Sequence, residues 1–154
     1  MAIEIERKFL VLNDTYKSKG EKSYYKQGYL VSDETKTVRV RIADEKAYLT
    51  IKSKPVGTAR AEYDYEIPVS DAQYMLDHLC EKPLVEKYRY KLQVQDLVWE
   101  VDEFLGDNEG LVVAEVELSR EDQAIELPEW VGREVTGEVR YYNSQLIKKP
   151  YKSW

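Results

Sequence analysis

The sequence predicts a mainly β (α+β) fold: a closed, eight-stranded antiparallel β-barrel with flanking helices and a C-terminal helix. Three observations carry that expectation. Apolar and polar residues alternate with period two through eight separate runs, the pattern of strands with two unlike faces. The connections between runs are short, as antiparallel neighbours allow, and closing such a set removes exposed edges. Tyrosine supplies 13 aromatic residues against 3 Trp and 2 Phe, and Tyr suits a pleated surface with one wet side.

The first run covers residues 3–11 and the second 24–31, separated by the polar stretch 17–23. A turn at 33–36 leads into 38–42, and another at 43–46 into 48–54. Pro55-Val56-Gly57 breaks that run, and 60–67 is the fifth. Ser70 is placed to cap a helix over 71–79, with Met75, Leu76 and Leu79 on one stripe. Strands follow at 85–92, 97–104 and 111–118, the last two joined by a turn at 107–110. Residues 134–148 contain the final helix, which ends before Pro150.

Length and composition narrow the function classes. With 154 residues, 43% hydrophobic and 34% charged, the chain reads as one domain, 1–154. No stretch approaches the ~20 apolar residues of a membrane span. Met1-Ala2-Ile3-Glu4 puts acid where a signal peptide needs a basic and then apolar run. The single Cys80 and single His78 exclude an intrachain disulfide and a Cys- or His-built metal site. His78 falls on the middle helix and reads as structural or surface. A net charge of −6 argues against nucleic-acid and anionic-membrane partners. A cytoplasmic enzyme or binding domain, monomer or homodimer, survives.

The polar strand faces are unusual. Residues two apart share a face about 6.5 Å apart. One face carries Glu4, Glu6 and Lys8; then Gln27 and Tyr29; Arg39 and Arg41; Lys52 and Lys54. The later strands continue with Arg60, Glu62, Asp64 and Glu66; Lys87, Arg89 and Lys91; Glu100 and Asp102; Glu115 and Glu117. A half-solvated sheet would present these charges to water and send Ile5, Val40, Tyr63, Tyr65 and Val116 to the core. Surface charge is normally of interspersed sign. Here individual strands are nearly pure in sign, which favours charges turned inward around a hydrated tunnel with acidic and basic walls. Carboxylates are hard donors for Mg²⁺ or Mn²⁺, and Arg and Lys clamp phosphate oxygens.

These residues also form a recognisable series. Ile3-Glu4-Ile5-Glu6-Arg7-Lys8-Phe9 contains a Glu-x-Glu-x-Lys opening. It is followed in order by Val38-Arg39-Val40-Arg41, Leu49-Thr50-Ile51-Lys52, Lys87-Tyr88-Arg89, Trp99-Glu100-Val101-Asp102 and Ala114-Glu115-Val116-Glu117. Over nearly its whole length the chain resembles the CYTH superfamily, the triphosphate tunnel metalloenzymes. The resemblance implies an eight-stranded tunnel that hydrolyses a small-molecule triphosphate with Mg²⁺ or Mn²⁺. It implies that Glu4, Glu6, Glu62, Glu115 and Glu117 bind metal. Lys8, Arg39, Arg41, Lys52, Arg60, Lys87 and Arg89 are the implied substrate clamp. Glu4, Lys8, Tyr29, Arg41 and Asp102 are the implied catalytic group. Asp64 stands where relatives often carry Glu. The chain is short and lacks an insertion for reading a base, which resembles the compact inorganic triphosphatases. The rival readings are an adenylyl cyclase, a nucleoside or thiamine triphosphatase, and a non-catalytic polyphosphate or nucleotide binding module.

Overall fold

All eight predicted runs are strands, and a ninth joins them. The computed structural model describes residues 3–154. Its strands are β1 (Ile3–Val11), β2 (Glu21–Ser32), β3 (Lys36–Ala43), β4 (Lys46–Ser53), β5 (Ala59–Ile67), β6 (Val85–Val94), β7 (Leu97–Phe104), β8 (Val112–Glu117) and β9 (Val131–Glu134). The helices are α1 (Val69–His78) and the single turn α2 (Asn143–Leu146). Neighbours run β5-β4-β3-β2-β6-β7-β8-β1, and β1 returns to β5 where Ile3, Glu4 and Ile5 face Ala61, Arg60 and Ala59. The barrel therefore closes through a short antiparallel seam.

Strand β9 was not anticipated. Its four residues show no alternation, and it pairs with the far end of β1 opposite Phe9 and Val11. Gly132 permits that approach, because a Cβ there would lie 3.2 Å from the Leu10 carbonyl oxygen.

The barrel is charged inside and apolar outside, so its stability rests on what covers the outer face. Trp99, Val101, Ala114, Val116 and Phe9 lie under Trp130 and Tyr16, which come from the 119–130 segment and a 3₁₀ turn at Thr15–Ser18. Trp99 is fully buried and meets the Trp130 ring edge-on at 5.5 Å. On the other side Ala72, Leu76 and Cys80 cover Val40 and Ala47 of β3 and β4.

Two expectations on this side are corrected. Pro68 rather than Ser70 occupies the N-cap position of α1, and no side chain caps the helix. Leu79 lies past the helix end and is 58% exposed, so the buried stripe is Ala72 and Leu76 with Met75 partly covered. Tyr63 and Tyr65 lie on the outer face of β5 and are exposed, because α1 packs chiefly over β2, β3 and β4.

The expected C-terminal helix is replaced by a 3₁₀ turn at Val139–Tyr141, the turn α2, and a 3₁₀ turn at Tyr151–Ser153. Tyr142 separates the first two with extended dihedrals, φ −69° and ψ 134°. Tyr141, Leu146 and Ile147 pack with Tyr29, Val85, Phe104, Val113 and Val135. This apolar plug fills one end of the barrel.

Candidate active site

Period-two geometry assembles the site from all eight barrel strands. An inward cavity of about 190 Å³ is lined by Glu4, Glu6, Lys8, Tyr29, Thr37, Arg39, Arg41, Lys52, Arg60, Glu62, Asp64, Lys87, Arg89, Glu100, Glu115 and Glu117, with Tyr142, Asn143 and Ser144 from the plug. Most side chains of the polar face point into this cavity, while Lys54, Glu66 and Lys91 at the strand ends are exposed to solvent and Gln27 is buried outside the lining. Of the candidate residues only Asp102 is missing from the lining. His78 is exposed on α1, stacked on Tyr74.

Acids and cations occupy opposite halves. Strands β7, β8, β1 and β5 carry the carboxylates, while β4, β3 and β6 carry Lys52, Arg39, Arg41, Lys87 and Arg89. Register sharpens the acidic half: Glu6 faces Glu117 across β1 and β8, and Glu100 faces Glu115 across β7 and β8. Like charges directly opposite one another destabilise a sheet unless something lies between them.

Local cations satisfy part of this wall. Lys52 Nζ donates to Glu4 Oε1 at 3.0 Å and lies 3.2 Å from Glu62 Oε2, Arg60 Nε donates to Glu4 at 3.3 Å, and Lys8 Nζ is 3.6 Å from Glu115. Burial alone would raise the Glu4 pKa, but Lys52, a Glu62 hydrogen bond and Arg60 hold it well below the usual range. Glu6 goes the other way. Burial, then Glu115 and Glu4, push its carboxyl up to about 8. Glu117 is also raised, by burial, Glu4 and Glu100.

The basic half is held from behind. Asp102 is 1% exposed and accepts from Lys87 Nζ at 2.8 Å, Arg89 Nε at 2.7 Å and Arg89 Nη2 at 2.9 Å. It sits behind the two cations rather than on the cavity surface, which departs from its expected place among the groups that reach substrate. Tyr25 lies between Arg41 and Arg89, their guanidinium carbons 4.8 and 4.9 Å from its ring centre. The cation cluster still has surplus charge. Burial, then Arg39 and Arg89, pull the Arg41 pKa down to about 9, and the buried Arg39 Nε has no hydrogen-bond partner among the described residues.

Sequence reasoning missed Tyr142, Asn143 and Ser144. Their segment has no strand periodicity, and only tertiary folding brings it to the barrel end. Tyr25 was missed because it reads as an ordinary strand aromatic.

Whether the acids suit a divalent cation follows from the donor set. Among the described residues no three ligating side chains converge on one point. The facing pairs Glu6–Glu117 and Glu100–Glu115 nevertheless offer hard oxygens in register, and the crowding that pushes the Glu6 pKa up is what a cation between the acids would relieve. The residues present fit the group.

Comparison with known proteins agrees with this architecture. The chain is 54% identical over 154 residues to an inorganic triphosphatase of Acetivibrio thermocellus, covering 100% of this chain and 99% of that protein. It is 38% identical over 150 residues to an inorganic triphosphatase of Nitrosomonas europaea, covering 93% and 95%. A crystal structure of an inorganic triphosphatase superposes with a TM-score of 0.66 at 36% identity, covering 96% of this chain and 95% of that one. The family model described as the CYTH domain matches residues 2–151, the stretch that builds the charged barrel and its plug. The chain belongs to the CYTH domain family.

Proposed function

We propose that this chain is a metal-dependent inorganic triphosphatase that hydrolyses triphosphate to pyrophosphate and orthophosphate. The observation that carries the reading is the surplus of buried cations facing a carboxylate wall: among the described residues Arg39 Nε lacks a partner, and the Arg41 pKa is depressed by burial and its cationic neighbours. A polyanion bridged to a divalent cation neutralises both halves together. The two curated relatives named inorganic triphosphatase support the substrate class. Residues 1–154 are read as one such domain, acting in the cytoplasm. Among the described residues no helix is long and apolar enough to cross a membrane.

Glu4, Glu6, Glu115 and Glu117, with Glu62 at the edge, are the residues to hold Mg²⁺ or Mn²⁺. When bound, such an ion supplies charge neutralisation and a more acidic coordinated water. Arg39, Arg41, Lys52, Lys87 and Arg89 bind the phosphate oxygens, and Arg60 and Lys8 join them from the acidic half. Their donors offset charge on the equatorial and bridging oxygens as the terminal P–O bond breaks, and this positioning and charge stabilisation is most of what phosphoryl transfer requires. Water adds to the terminal phosphorus, the bridging oxygen leaves with pyrophosphate, and a proton passes to solvent. Tyr29 is 4% exposed at the join of cavity and plug, packed with the plug residues and lining the cavity where it can meet substrate.

The test is phosphate release from tripolyphosphate, ATP, thiamine triphosphate and pyrophosphate with Mg²⁺, Mn²⁺ or EDTA. Metal-dependent turnover with tripolyphosphate preferred is the expected result. Equal ATP turnover would remove the substrate assignment, and cyclic AMP as product would move the chain to the cyclase class.

A further inference from the structure

The plug brings Asn143 into contact with the basic half. Its Oδ1 accepts from Lys87 Nζ at 2.9 Å and from Gln27 Nε2 at 3.0 Å. Gln27 is fully buried, and its Oε1 accepts from Arg41 Nε at 2.9 Å. The orientation of both amides follows from chemistry. Lys and Arg are donors only, so Lys87 at one end must meet an oxygen of Asn143 and Arg41 at the other an oxygen of Gln27. Only the Gln27 N–H then remains to join them. The chain Arg41–Gln27–Asn143–Lys87 thus has one permitted polarity, and it ends on two cations of the proposed clamp. The Asn143 Nδ2 group is left over on a residue that lines the cavity.

We propose that Asn143 is a positioning residue for the triphosphate site, holding Lys87 directly and Arg41 through Gln27 without neutralising either. The inference rests on the phosphate-binding reading above. An amide at this position is informative. A carboxylate would accept the same two hydrogen bonds, but its charge would cancel part of the attraction for substrate and repel the nearest phosphate. An apolar residue would leave Lys87 with Asp102 as its acceptor and Gln27 with an unpaired buried N–H. The amide alone fixes geometry and preserves charge. It also places this function in the tail, outside the barrel strands that carry every other member of the clamp.

Two substitutions separate positioning from simple anchoring of the tail. Asn143→Asp keeps both acceptor contacts, so melting at or above the parent temperature is expected. Its KM for tripolyphosphate should nonetheless rise by at least about tenfold, the scale of a charged hydrogen bond. Asn143→Ala should raise KM, and the double variant with Gln27→Ala should be no worse than the poorer single variant, because one relay is broken in each case. Binding of tripolyphosphate in EDTA, followed by calorimetric titration, reads the same effect without turnover. A parent that binds tripolyphosphate but releases no phosphate would overturn the hydrolase reading and leave this proposal to be decided by the variant affinities. Parent-like KM and affinity in Asn143→Asp would overturn it, whatever happens to stability in Asn143→Ala. Additive effects of Gln27→Ala and Asn143→Ala would overturn the relay. Should Asn143→Ala not fold, Asn143→Ser, with a shorter acceptor, takes its place.

Discussion

Replacing Asp102 with Asn tests the claim that the basic half is a strained cluster awaiting an anion. The carboxylate accepts three hydrogen bonds from Lys87 and Arg89 in a site only 1% exposed. Asn conserves shape but offers one acceptor oxygen, and its amide N–H₂ must face a cation donor. Removing one partner of a buried ion pair costs about 3–5 kcal/mol. At roughly 2–4 °C per kcal/mol for a domain of this size, the apo variant should melt ~6–20 °C below the parent. The pH dependence is also fixed in sign. Burial would raise the Asp102 pKa, but Arg89 and Lys87 overcome it and hold it at about 2, below the usual carboxylate range. A depressed acid contributes stability that is present above its unfolded pKa and lost as pH falls through its folded one. The penalty for Asp102→Asn should therefore be constant from about pH 5 to 8 and shrink between about 4 and 2. Tripolyphosphate supplies the missing negative charge, so at saturation it should narrow the gap between variant and parent. At one fixed ligand concentration the tighter binder gains more, about 2.7 kcal/mol at 100 times its Kd and about 4.1 kcal/mol at 1,000 times, so a variant that binds tripolyphosphate tenfold more tightly recovers roughly 1.4 kcal/mol of the gap. The assay is thermal melting in EDTA with and without tripolyphosphate, against sodium sulfate at matched ionic strength. A drop below ~2 °C, under the effect of about 1 kcal/mol, or an equal gap with and without ligand, would refute the reasoning.

Two further perturbations address the remaining wall and clamp. Arg41→Ala should raise KM for tripolyphosphate roughly 10–150-fold, the equivalent of 1.5–3 kcal/mol for a charged hydrogen bond, with a smaller change in kcat. Arg41→Lys should recover only part, since Lys cannot keep both the Gln27 contact and the stack on Tyr25; steady-state kinetics that equate Lys with Arg would contradict the clamp geometry. On the acidic half, Glu6 is pushed up to about 8, above the usual carboxylate range, by burial, Glu115 and Glu4. A raised carboxyl keeps its proton in the folded state and loses stability as pH climbs from its unfolded value toward 8. Mg²⁺ binding should therefore release close to one proton at pH 6–7, and affinity should rise about tenfold per pH unit until about pH 8. Calorimetric titration in two buffers of different ionisation enthalpy measures that release, and a pH-independent affinity would exclude Glu6 as a ligand.

The legible parts of this fold are those written in two-residue steps. Glu4, Glu6 and Lys8 or Arg39 and Arg41 share a face by strand geometry alone, whatever the rest of the chain does. The sign purity of β3, β6, β7 and β8, with Arg39 and Arg41, Lys87 and Arg89, Glu100 and Asp102, Glu115 and Glu117, then separates inward from outward. Sequence could not show that Asp102 lies behind Lys87 and Arg89, since alternation reports a face and not a depth. Nor could it find β9, four residues without a pattern, or the break at Tyr142. Residues 134–148 read as containing one helix that ends before Pro150, but the open barrel end draws Tyr141, Leu146 and Ile147 into an apolar plug instead. Tertiary demand overrides local preference there.

Those illegible parts explain how a barrel can turn its charges inward at all. A conventional barrel is stabilised by the side chains that fill it. Here the interior contributes repulsion: Glu6 against Glu117, Glu115 against Glu100, Arg41 against Arg39 and Arg89. Stability must then come from the outer face and the closed end. The segments with the weakest sequence signal supply it: Tyr16 in a 3₁₀ turn, Trp130 before β9, and the tail from Tyr141 to Ile147. They cover Trp99, Val101, Val116, Phe104 and Val113, whose burial contributes roughly 1.5–3 kcal/mol for each large side chain. The covering segments and the charged lining are thus two halves of one arrangement. Weakening the cover, for instance by Trp130→Ala, should lower the melting temperature without changing the relative order of substrates, because Trp130 touches the outer side of strands whose inner side alone meets the ligand.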